Sequence, residues 1–108
     1  MNIFKKFKCY LRLREAVIKA DKAHSESGAR YYVLPATGGT LIVTDRKNFR
    51  LLKQKGYIRR NVTITDLVSH SFYFTPYKDG SRGLSADYAV EKRKNYYDWC
   101  SKTKKGGK

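Results

Sequence analysis

The sequence predicts an α+β protein in which a small antiparallel three-stranded sheet is packed by N- and C-terminal helices, with an additional basic helix. Three observations carry this. Residues 3–26 contain no Pro or Gly and are rich in Leu, Ala, Glu, Lys and Arg, the residues that lose least on entering a helix. Three short runs, Tyr31 to Leu34, Thr40 to Thr44 and Phe72 to Thr75, are built from β-branched and aromatic residues and are bounded by turn formers. Ser85 stands where a cap is wanted, before a second long helical stretch that reaches Lys102.

The first helix ends at Gly28. Its apolar residues Phe7, Tyr10, Leu11, Val17, Ile18 and Ala20 are expected to face the core, leaving Lys5, Lys8, Arg12, Lys19 and Lys22 to water or a ligand. The next two runs are joined through Pro35, Ala36, Thr37, Gly38 and Gly39, which reads as a hairpin with a glycine-containing loop. Both runs are almost continuously apolar, so the sheet is expected to be covered on both faces or backed by a helix. Thr44 or Asp45 then caps a helix from Arg46 to Lys55, stopped by Gly56 and placed at the edge of the sheet. On it Arg46, Lys47, Arg50, Lys53 and Gln54 cluster on one side, with Phe49, Leu51 and Leu52 opposite.

Tyr57 to Ile64 reads as extended or irregular, and Thr65 as the cap of one or two turns through His70. The third strand stops before Pro76, which favours extended backbone in the residue before it, and Asp79-Gly80 supplies a turn. On the last helix, Ala86, Ala89, Val90, Tyr97 and Cys100 form one stripe and Tyr88, Lys92, Asn95 and Trp99 another. With no internal repeat and no linker, residues 1–103 are expected to form a single basic domain and 104–108 a disordered basic tail.

The chain of 108 residues, 41% hydrophobic and 14% aromatic, is long enough for one modest core and too short for two. Its 24 Lys and Arg against 9 Asp and Glu give a net charge of +15. Such an excess opposes folding by self-repulsion unless a polyanion neutralises it, and nucleic acid, an anionic membrane face and an acidic protein all qualify. No apolar run approaches the ~20 residues of a membrane span, and lysines interrupt the start where a signal peptide would be apolar. A soluble cytoplasmic protein without a membrane partner is therefore expected. The basic, amphipathic first eight residues are the one feature that keeps an interfacial contact in view. Cys9 and Cys100 suit free thiols in a reducing compartment, a bridge between the end helices being the lesser alternative.

Residues 46–60 hold seven bases and no acid, and cations on successive helical turns match the repeated charge of a phosphate backbone. A solvated outer face is the ordinary explanation of such a pattern; the missing acids favour a ligand. The candidate nucleic-acid contacts are Arg46, Lys47, Arg50, Lys53, Lys55, Arg59 and Arg60, extended by Lys92, Lys94, Lys102 and Lys104. Trp99 is a candidate for stacking an unpaired base, set against the competing demand of a small core for its large aromatics. A helix-turn-helix is disfavoured, because too many residues separate the Arg46 helix from the turns before His70. His24, His70, Cys9 and Cys100 lack metal-ligand spacing, and the four aspartates at element boundaries form no paired-carboxylate site, so neither metal, cofactor nor catalytic residue is expected.

The segments Ala20 to His24, Arg30 to Val33, Thr44 to Arg50 and Phe72 to Tyr77 resemble small uncharacterised proteins encoded by bacteriophages of gut Bacteroides, and point to small single-stranded DNA phages as one setting. The resemblance implies a bacterial host cytoplasm and brings no activity or site to transfer. The resulting expectation is a non-catalytic, largely sequence-independent nucleic-acid-binding accessory protein, with DNA slightly preferred over RNA. The alternative is a protein-interaction module, a virion component or an inhibitor of a host enzyme, docking on an acidic protein surface. Strand type, sequence specificity and oligomeric state are not legible in the sequence.

Overall fold

A computed structural model describes residues 2–58, 62–77 and 80–102. They form helix α1 (Ile3–Ser27), strands β1 (Tyr31–Ala36) and β2 (Thr40–Asp45), helix α2 (Arg46–Gln54), a 3-10 turn (Ile64–Asp66), helix α3 (Leu67–His70), strand β3 (Tyr73–Phe74) and helix α4 (Ala86–Lys102). The class is α+β, and the antiparallel sheet has the order β2-β1-β3. Residues 103–108, and with them the predicted tail, lie outside the described residues, as do Asp79 of the predicted turn and the Arg59 to Asn61 segment.

The central strand divides the protein into layers, because successive side chains of a strand point to opposite faces. Val33 meets Ala16 and Ala20 of α1, with Leu41, Val43 and Tyr73 beside it. Tyr32 and Leu34 enter the other core with Phe49 of α2, Ile58, Val62, Leu67 of α3 and Phe74. The cover on both faces that the unbroken apolar runs predict is therefore present. Helix α2 differs from its predicted edge position: Phe49, 1% exposed, is driven into the face opposite α1. Helix α4 joins the second of these cores to a further cluster. Its Tyr88 packs on Phe74 (ring centroids 6.3 Å apart), while Tyr96 and Cys100 join Cys9 of α1 and Phe72 in a third cluster.

The termini of the elements follow local chemistry. Asn2 accepts from the Lys5 N–H at 2.8 Å to start α1, and Gly28 ends it at φ 78°, a left-handed conformation open to glycine at no steric cost. Asp45 rather than Thr44 caps α2, accepting from the Asn48 N–H at 2.9 Å. The turn before α3 begins at Thr63, not Thr65: the Asp66 carboxylate reaches back to accept from the Thr63 Oγ1 (2.8 Å) and N–H (3.0 Å). Ser85 caps α4 through the Tyr88 N–H, as predicted.

Three predicted faces are corrected. Helix α1 turns its small residues inward, Cys9, Ala16 and Ala20 being buried while Phe7, Tyr10, Leu11 and Ile18 are exposed. On α2, Leu51 points outward. On α4 the inward line is the half-buried Tyr88 followed by the buried Lys92, Tyr96 and Cys100, at successive spacings of four residues and between the two predicted stripes, with Val90 exposed. For α1 the approach distance decides, since a helix lies closest to a sheet through its small side chains; for α4 the partners Cys9, Phe72 and Phe74 decide.

Cys9 and Cys100 are both buried and unbridged. The Cys100 thiol is pushed up to about 12, first by burial, with the Cys9 thiol beside it also raising it. Because the thiolate is the reactive form, a thiol reagent at neutral pH is expected to label Cys100 on the order of a thousandfold more slowly in the native chain than in urea. Equal rates, read by mass spectrometry, would show that this core is open.

Candidate nucleic-acid interface

Helix α2 is held at three points. The Asp45 carboxylate fixes its start, accepting also from the Asn48 side-chain amide at 2.8 Å. Phe49 anchors its inner face. Its end is tied to the hairpin turn, where Thr37 donates its N–H to the Tyr57 carbonyl (3.0 Å) and its Oγ1–H to the Gly56 carbonyl (3.1 Å). Gly56 makes that turn at φ 83°.

On this fixed helix Arg46, Lys47 and Arg50 are exposed, and Lys55 is exposed just past its end. Among the described residues none of the four forms an ion pair; the one pair there joins Lys102 to Asp98 at 3.1 Å. Arg46 and Arg50 stand about 6 Å apart along the helix axis. Lys53 is half-buried, its ammonium 5.8 Å from the centre of the Phe49 ring. It also helps hold the Asp66 carboxyl below the ordinary carboxylate range, after the dominant hydrogen bonds from Thr63 and with His70. Lys53 is thus the least available cation of the ridge. Arg59, Arg60 and Lys104 lie outside the described residues.

Of the predicted extension on helix α4, Lys92 is contradicted. Lys94 is exposed, and Lys102 is exposed but paired to Asp98. Lys92, by contrast, is buried at 2% exposure and cannot meet a phosphate. Its ammonium donates to the carbonyls of Val68 (2.6 Å) and Ser71 (2.5 Å), acceptors that the short α3 leaves open at its C-terminal end. It also lies 4.6 Å from the Tyr88 ring centre and 5.5 Å from that of Phe74. Burial pushes its pKa down to about 8, opposed by the Glu91 charge. The two carbonyls and the two ring faces favour the charged form and offset part of this. Lys92 is a positioning group inside the fold, and it is removed from the candidate contacts.

Arg30 is a second buried cation, and no sequence pattern marked it. It donates to the Arg82 carbonyl and stacks on Tyr77 (4.0 Å) and Phe74 (4.7 Å). Both buried cations are thus neighbours of Phe74, and both use carbonyls and rings where a chain with more acids would use carboxylates. A signal for Lys92 was present: it sits four residues from Tyr88 and four from Tyr96, midway along an aromatic line.

Trp99 is half-buried, its ring centre 5.4 Å from that of Phe72 and 6.1 Å from that of Tyr96. Its structural role is therefore real, yet part of it lines a cleft of about 360 Å³ with His70, Val62 and the hairpin turn from Pro35 to Gly39. Thr37 both lines this cleft and holds the end of α2, so cleft and cationic ridge are contiguous through that residue. Among the described residues no helix is long and apolar enough to cross a membrane. Comparisons with protein-family models, with curated proteins and with solved structures find no match, and what can be said of function rests on this geometry.

Proposed function

We propose that the protein is a non-catalytic, largely sequence-independent nucleic-acid-binding protein whose contact surface centres on α2. The observation that carries this is the exposed row Arg46, Lys47, Arg50 and Lys55 on a fixed helix, with no ion pair among the described residues. Unpaired surface cations in a chain of net charge +15 raise each other's field, and phosphates relieve it while releasing their own counterions. The adjoining cleft supports a preference for single strands, because an unpaired base could enter it edge-on beside Trp99 and His70, whereas a base in a duplex stays stacked. DNA is slightly preferred over RNA on the strength of the phage resemblance alone.

The test is fluorescence anisotropy of labelled single-stranded DNA, duplex DNA and RNA across salt concentrations, for the native chain and for Arg46→Glu/Lys47→Glu/Arg50→Glu. Each phosphate contact contributes about −0.7 to the log–log salt slope on single strands, so the triple variant should flatten the slope by about 2 and weaken binding by roughly a hundredfold. Trp99→Phe is expected to weaken single-strand binding severalfold and leave duplex binding unchanged. Binding no tighter than that of an unrelated protein of equal charge would sink this reading and turn attention to an acidic protein partner.

A further inference from the structure

Because α1 packs on the sheet through Cys9, Ala16 and Ala20, its large apolar residues are left outside. Phe4 is 78%, Phe7 60% and Ile18 56% exposed, with Ile3, Tyr10 and Leu11 also uncovered. Ile3, Phe7, Leu11 and Ile18 share one side of the helix, and Phe7 stacks on Tyr10 at 6.5 Å. The result is a stripe about 22 Å long on the side away from the sheet. Apolar side chains so aligned on an exposed surface mark a contact surface, in a way that scattered ones do not.

The charges around the stripe decide what covers it. From Ile3 to Ile18 the helix carries Lys5, Lys6, Lys8, Arg12 and Arg14 against the single acid Glu15. Arg14 stands on the stripe itself, one turn after Tyr10 and one before Ile18. A second copy of the chain would bring these cations against one another along the whole contact, with Arg14 buried against like charge. Lipid phosphates would instead pair with them, while Phe4 and Phe7 enter the boundary between headgroups and acyl chains.

A second feature points the same way. A cleft of about 560 Å³ between α1 and α4 is lined by Arg14 and Arg93 together with the apolar Leu13 and Val17 and the rings of Tyr10 and Tyr97. Two guanidiniums and an apolar wall in one cleft suit a group that is phosphate at one end and hydrocarbon at the other. A nucleic-acid backbone offers no such tail.

We propose that the outward face of α1 is an interfacial docking surface for an anionic lipid bilayer. It is separate from the α2 ridge and independent of the nucleic-acid reading, and it departs from the expectation of no membrane partner, which rested on the missing apolar span and signal-peptide region.

Flotation of the full chain with phosphatidylcholine vesicles, with and without phosphatidylglycerol, tests this. The native chain should float with the anionic vesicles and remain behind with neutral ones. Phe4→Ser/Phe7→Ser alters two exposed positions and no charge, so its circular dichroism and its affinity for DNA should match the native chain, while its vesicle affinity falls at least roughly tenfold. A native chain that floats with neither vesicle overturns the proposal. So does a double variant that floats as well as the native chain, since binding would then be charge alone. A native dimer in light scattering that the double variant dissociates would assign the face to a second copy and equally overturn it.

Discussion

Replacing Tyr96 with Ala is expected to destabilise the folded chain by about 4 kcal/mol, against a total of roughly 5–15 kcal/mol for a domain of this size. Tyr96 is fully buried. Its ring lies 5.1 Å from Phe72, edge to face, and 5.4 Å from Tyr97, and its hydroxyl donates to the Cys9 carbonyl at 2.6 Å. Burial, with the Cys100 side chain, also raises the pKa of that hydroxyl, keeping it a donor at any physiological pH. One side chain thus joins α4 to α1 and to the strand region at once. Tyr96→Phe removes only the hydroxyl and should cost about 1 kcal/mol. Urea unfolding followed through Trp99, the one tryptophan, separates the two variants. A loss under about 1 kcal/mol for the alanine variant would mean that the two helices are not held together here.

The second large effect is a pH dependence in which Lys92 is opposed by Cys100. The Lys92 pKa is lowered by burial to about 8 in the fold, from 10.5 in the unfolded chain. Between those values the unfolded chain binds more protons than the folded one, so stability rises with pH through this window and falls away as pH drops through 8. From pH 7 to 9.5 the gain is at most about 2 kcal/mol, the carbonyls of Val68 and Ser71 holding it below that ceiling. Cys100, pushed by burial from 9.0 up to about 12, acts in the opposite sense from about pH 9 upward, and Tyr73, raised by burial and by its hydrogen bond to Asp21, and Tyr96 join it above pH 10, where the unfolded phenols ionise first. Lys92→Met should abolish the Lys92 rise and stay within about 1.5 kcal/mol of the native chain at pH 7, because it fills the site and removes the cost of burying the charge, which offsets the two carbonyls left without their donor. Lys92→Ala should cost about 3 kcal/mol, leaving both a cavity and the two carbonyls without their donor. The measurement is the urea midpoint of the three chains at pH 7, 8 and 9.5. Parallel curves for the native and methionine chains would mean that Lys92 keeps an ordinary affinity for its proton.

How far the site could be read in advance depended on what surrounds each cation. Arg46, Lys47 and Arg50 lie on a short helix with a capping Asp before it and Gly after it, so period and caps sufficed to place them on one outer face. Lys92 carries the same charge on an equally clear helix, yet its neighbours at four-residue spacing are Tyr88 and Tyr96. The rule that cations face water was overruled there by the demand of α3 for donors at its open end, an element distant in sequence. Trp99 fell between the two cases, serving both the core and the cleft wall.

By itself the sequence determined the α+β class, the three antiparallel strands, the boundaries of the long helices and the cationic outer face of α2. All of these rest on local terms: helix and strand preference, the alternation of side chains along a strand, and caps made within four residues. Only the tertiary structure decided which side of α1 and α4 turned inward. Both helices have apolar residues on more than one side, so periodicity left two answers of nearly equal worth. Close approach settled it: α1 could reach Val33 only through Ala16 and Ala20, and α4 could reach Cys9 only with Tyr96 and Cys100 turned inward. Packing at fixed density chose the small residues for the inside and left Phe4, Phe7 and Ile18 at the surface.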